Sequence, residues 1–130
     1  MQAVDTNVLA RFVLRDDAAQ VRRADALLKT AVWVPVTVFL ELAWVLGCVR
    51  ASEQEVIEDL RALLGLPNLH CDQGEAVALG LSWAEQGMDL ADALHLALSQ
   101  RQQGFRSFDK ALIATAKKAK PRTLAVVAAP

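Results

Sequence analysis

The nineteen residues from Ala31 to Val49, AVWVPVTVFLELAWVLGCV, decide how this chain is read. The stretch is apolar almost throughout and close to the length of about 20 residues that spans a bilayer. Two residues argue against a span. Pro35 interrupts the run, and Glu41 sits at its centre, where a carboxylate costs about 2.5–3.5 kcal/mol on insertion scales. The alternative is a buried strand over Val32 to Val36, its end strained by Pro35, running into a buried helix over Val38 to Val49. The expectation is a soluble protein without a membrane segment.

Working outward, short apolar runs alternate with helical patterns on both sides. Gln2 to Val4 reads as a strand and Val8 to Leu14 as a helical region, while Ala18 to Thr30 carries Val21, Ala24, Leu27 and Leu28 at helical spacing. Ser52 with Glu55 three residues on is a capping box for a helix to about Leu64, which Gly65 and Pro67 stop. Leu69 to Cys71 is a weak strand. Helices follow over Gly74 to Gln86 and Leu90 to Gln103, then a strand over Phe105 to Phe108, a helix from Asp109 to about Lys118, and a strand over Thr123 to Val127. Strands alternating with helices predict an α/β fold: a central parallel sheet of about five strands covered on both faces. In such folds function collects at the carboxyl ends of the strands.

The chain has 130 residues, of which 54% are hydrophobic and 22% charged. That composition excludes a disordered tail and a collagen-like repeat, and residues 1–130 are expected to form one domain. The formal net charge of −1 conceals an uneven distribution. Between residues 101 and 122 stand Arg101, Arg106, Lys110, Lys117, Lys118, Lys120 and Arg122 against a single acid, Asp109, so the rest of the chain is acidic. A basic edge of this kind attracts polyanions, although it is also what a solvated face looks like. Cys48 and Cys71 lie in apolar contexts without metal spacing, and no secretory signal follows Met1; both features predict a cytoplasmic protein with reduced thiols.

Several acids fall near strand ends. Asp5 follows the first strand and Asp109 the Phe105–Phe108 strand, and either could simply cap the helix after it. Asp89 can cap the Leu90 helix, with Asp92 answering it at the third helical position. Glu41 resists such an explanation, because its helical neighbours are Val38, Trp44, Val45 and Cys48, and the nearest cations in sequence are Lys29 and Arg50. A glutamate so placed stays partly wet, raises its pKa or finds a cation. Were Asp5, Glu41, Asp92 and Asp109 to meet in one cleft, their repulsion would call for a hard divalent ion, and oxygen-only ligands select Mg²⁺ or Mn²⁺.

Taken together and in order, VDTNVLARFVLRDDAAQ, VTVFLELAWVL, DLADALHLA and FRSFDKAL resemble a PIN domain, more narrowly the VapC-type toxins of bacterial toxin–antitoxin pairs. The resemblance covers essentially the whole chain. It implies a three-layer α/β/α, Rossmann-like fold and a Mg²⁺- or Mn²⁺-dependent endoribonuclease. The family's four acids correspond to Asp5, Glu41, Asp92 and Asp109, with Asp89 held as a helix cap first, and Thr6, Asn7 and Ser107 match polar positions flanking the site. It further implies an RNA substrate, a VapB-like antitoxin and a homodimer, with which a mean hydropathy of +0.25 is compatible.

In the mechanism so implied, metal-bound water is activated for in-line attack on phosphorus. Arg11, Arg15, Lys110, Lys117 and Lys118 are candidates for gripping the RNA backbone. His95, three residues after Asp92, makes an Asp-x-x-His zinc pair conceivable but unsupported by a second histidine or a cysteine. Rival readings are a PIN nuclease of RNA processing, a catalytically silent binding module, and a receiver-like signalling domain. The receiver would want paired acids where Asp5 stands alone.

Overall fold

A computed structural model describes all 130 residues, and its chain divides into two compact units, Met1–Gly74 and Glu75–Pro130. The first unit runs β1 (Gln2–Ala3), α1 (Thr6–Leu14), α2 (Ala18–Leu28), β2 (Val32–Trp33), α3 (Val36–Gly47), α4 (Glu53–Leu64) and β3 (Leu69–His70). Its strands pair in parallel in the order β1-β2-β3, with Ala3 beside Trp33 and Trp33 beside His70. Parallel neighbours need crossover connections, and a pair of helices supplies each one. Leu9, Val32, Val34, Phe39, Leu42, Leu46, Ile57, Leu60 and Leu63 form the buried core.

The apolar stretch resolves as a strand and a helix, with shifted boundaries. Pro35 ends β2 early and is the N-cap of α3, at φ −60° and ψ 143°, so the helix begins at Val36 rather than Val38. Its ring fixes φ near the helical value and its missing N–H costs nothing at a helix start. Ser52 caps α4 by accepting from the Glu55 N–H at 3.3 Å, but Glu55 answers the Ala51 N–H at 3.2 Å, one residue earlier than a capping box requires.

The second unit holds α5 (Gly74–Glu85) from its second residue on, then α6 (Leu90–Leu98), β4 (Phe105–Ser107), α7 (Lys110–Lys118) and β5 (Val126–Ala128), with β4 and β5 paired in parallel. The five strands expected are thus present and all their pairings are parallel, hydrogen-bonded as a group of three and a group of two. Helix α6 stops at Leu98, five residues short of the expected Gln103. There the Ser99 hydroxyl donates to the His95 carbonyl at 2.8 Å and the Gln100 amide to that of Leu96 at 2.9 Å, side chains competing for the final turn. Strand β5 starts later than Thr123 because the Leu124 N–H is taken by the Gln100 side chain at 3.2 Å.

At Gly80 of α5 the chain lies directly against α6. A Cβ there would meet Leu94 Cδ2 at 3.0 Å and the Ala93 carbonyl oxygen at 3.2 Å. The Leu94 methyl can swing away; the Ala93 backbone cannot. Gly80→Val is therefore expected to destabilise the protein by about 1–3 kcal/mol, read as a fall in the urea midpoint at unchanged slope. A Gly80→Val variant as stable as the parent would show that the two helices slide apart freely.

Candidate active site

Asp5 is the N-cap of α1, its Oδ1 accepting from the Val8 N–H at 3.2 Å, which leaves its second carboxylate oxygen available. The next residue, Thr6, is buried to 6% exposure and is the chain's one buried polar residue. Its hydroxyl donates to Glu41 Oε1, tying α1 to α3. That bond answers the question of how Glu41 is satisfied on an apolar helix: it lies at an exposed position, one oxygen held by Thr6. Asn7, the third polar residue of this run, is exposed and lines a cleft of about 440 Å³ between α1 and α2.

In the second unit Asp89 caps α6, accepting from the Asp92 N–H at 3.1 Å, the structural role read from its position. Asp109 caps α7 with one oxygen that accepts from Ala111 and Leu112 at 2.9 and 3.1 Å. Its own N–H donates to Ser107 Oγ at 2.9 Å, so Ser107 fixes the turn that aims Asp109. Asp92 is partly buried in the first turn of α6. Burial pushes its carboxyl above the usual range, the neighbouring Asp89 and Asp109 charges push it further, and His95 pulls the other way. Asp92 and Asp109, from different elements, therefore share one electrostatic neighbourhood.

Every candidate donor in both units is a carboxylate oxygen, which suits Mg²⁺ or Mn²⁺ over softer-ligand metals, and a cation beside Asp92 would relieve the crowding there. Within neither unit are three Asp, Glu, His or Cys side chains gathered into a ligand set. Taken unit by unit, the unpaired carboxylate oxygens of Asp5 and Glu41 in the first, and of Asp92 and Asp109 in the second, suit a hard cation by chemistry.

The five candidate RNA-gripping cations divide sharply. Arg15 ends α1 in the left-handed region at φ 54° and forms a two-pronged pair with Asp25 at 3.1 and 2.7 Å, which raises its pKa and lowers that of Asp25. Arg11 faces Asp16 at 3.2 Å, its Nε buried without an aligned hydrogen bond. Lys110, Lys117 and Lys118 are exposed. Two clefts add further cations, Arg23, absent from the sequence-based candidates, and Arg122, already counted in the basic edge. Arg23 lines the α1–α2 cleft with Arg11 and Gln20, and Arg122 joins Lys117 in a cleft of about 350 Å³ beside α7. The spacing of Gln20 and Arg23, three residues apart on one helix face, was the available clue.

Parallel strands alternating with helices, with Asp5 after β1 and Asp109 after β4, define an α/β protein, a class in which ligands bind at the carboxyl ends of strands. A family model for the PIN domain matches residues 3–118, and the chain belongs to the PIN domain family. The family fold is a three-layer α/β/α arrangement, and its members are generally nucleases acting on RNA or other nucleic acids, usually with divalent metals. No curated protein and no solved structure matches the chain. No helix is long and apolar enough to cross a membrane.

Proposed function

We propose that the chain is a single-domain, Mg²⁺- or Mn²⁺-dependent endoribonuclease of the VapC type, with Asp5, Glu41, Asp92 and Asp109 as its metal carboxylates. The observation that carries this reading is the crowding of Asp92 by Asp109 and Asp89. Asp89 and Asp109 cap α6 and α7, but capping does not require Asp92 beside them, and a bound cation would offset the repulsion that the three carboxylates share.

When bound, a divalent cation supplies Lewis acidity toward a phosphoryl oxygen and lowers the pKa of a coordinated water. The protein's part is to hold the donors. Thr6 fixes the Glu41 carboxylate by its hydroxyl, and Ser107 fixes the Asp109 turn. Lys110, next to Asp109, and Lys117 and Lys118 at the far end of α7 present positive charge to an RNA backbone. Binding is accordingly expected to weaken steeply as salt rises.

The antitoxin partner, the homodimer and the cytoplasmic setting belong to the same proposal. Trp44, 73% exposed, and Val49, 62% exposed, near the end of α3 support a protein contact there. The test is cleavage of a mixed, structured RNA by the purified, partner-free protein with Mg²⁺, Mn²⁺ or EDTA. Cutting with either metal that EDTA abolishes is the expected result. A folded protein free of bound inhibitor that cuts under neither metal would count against the enzyme and favour a binding role.

A further inference from the structure

Phe108 leaves 81% of its surface in water, more than any other large apolar side chain of the chain. It stands between Ser107 and Asp109, and the backbone on both sides is clamped. Ser107 pairs with Ala128 and its carbonyl accepts from Ala129 at 2.9 Å, while Asp109 is held by Ser107 Oγ and by the first turn of α7. The ring is therefore carried on a rigid segment, and little conformational freedom is lost when something packs on it.

Its surroundings say what that something is. Arg106 and Lys110, both exposed, flank it in sequence, and no large apolar residue adjoins it between them. Trp44, the other highly exposed aromatic, has exposed Cys48 and Val49 nearby in sequence, as a protein contact would. An isolated aromatic interleaved with cations is the pattern that binds single-stranded nucleic acid, the ring stacking on a base while the cations follow the phosphates. We propose that Phe108 is a stacking platform for an unpaired nucleobase next to the scissile phosphate. This rests on the reading of Asp109 as a metal carboxylate. Because every base has a π-face, Phe108 selects unpaired RNA over duplex rather than one sequence over another.

The test compares the unaltered protein with Phe108→Ala, Phe108→Leu and Phe108→Trp on a mixed-sequence single-stranded oligoribonucleotide in Mn²⁺. Base stacking is read separately as quenching of 2-aminopurine placed in the same oligonucleotide, using the Asp92→Asn background to prevent turnover. Ala and Leu are each expected to lower kcat/KM roughly 5- to 150-fold and to lose the quenching, whereas Trp retains both. Leu tests stacking against mere apolarity. Cleavage by the unaltered protein together with undiminished kcat/KM in the Ala or Leu variant overturns the stacking role and leaves Phe108 as a protein contact. Failure of the unaltered protein to cut overturns the nuclease reading and this role with it.

Discussion

If the proposed site is right, replacing Asp92 with Asn is expected to lower the rate of RNA hydrolysis by roughly a thousandfold or more, the loss that follows when several kcal/mol of metal-borne transition-state stabilisation disappear. The amide keeps the shape of the side chain and the Asp92 N–H that Asp89 accepts, so the helix start is unchanged. Stability should move in the opposite direction to activity. In the metal-free protein the folded state holds the Asp92 carboxyl above its ordinary pKa, mainly by burial and then by Asp89 and Asp109. Below the ordinary carboxylate pKa both folded and unfolded chains carry the proton, and no cost arises. As pH rises past that value the unfolded chain ionises first, and the folded state loses stability until its own carboxyl has ionised. Metal-free protein at neutral pH should therefore melt lower than its Asp92→Asn variant, and the gap should close in acid. Adding Mn²⁺ should raise the melting temperature of the parent and much less that of the variant. Equal melting curves in EDTA across the pH range would overturn the raised Asp92 pKa, and undiminished cleavage by the variant would remove Asp92 from the site.

The second large effect is on the fold. Trp83 is fully buried in α5, and its indole N–H donates to the Pro121 carbonyl at 2.8 Å, fastening the segment after α7 to the helix. Trp83→Ala is expected to cost about 3–5 kcal/mol, the range for emptying a large aromatic site. Trp83→Phe keeps most of the ring and orphans the carbonyl, for about 1–3 kcal/mol. Urea unfolding followed by circular dichroism measures both. A loss below about 1 kcal/mol in the Ala variant would mean that the site collapses around the missing ring, contrary to a rigid core.

How much of this was written in the sequence depends on how local the cause is. Caps at Asp5, Ser52, Asp89 and Asp109 were legible because a capping side chain and its N–H lie within three residues of each other. The alternation of strands and helices was legible for the same reason. Boundaries were missed where a side chain from elsewhere intervened, as at Leu124 with Gln100, or where Pro35 cut β2 short and became the N-cap of α3. The Thr6–Glu41 bond joins positions 35 apart, and nothing in either local pattern announces it. Pairing of Arg15 with Asp25, ten residues away, was likewise hidden by the left-handed turn at Arg15, a conformation that L-residues rarely signal. The four acids were named by motif; their supports at Thr6 and Ser107 were named as polar neighbours, and the structure supplies the bonds they make.

Two of the proposed metal carboxylates, Asp5 and Asp109, also begin helices. Asparagine caps a helix about as well as aspartate, whereas alanine does not. A single-nucleotide change from an aspartate to an asparagine codon would thus silence the chemistry and leave the architecture standing. On the proposed reading, a lineage that gives up the chemistry while keeping the fold would be expected to carry asparagine, not alanine, at positions 5 and 109.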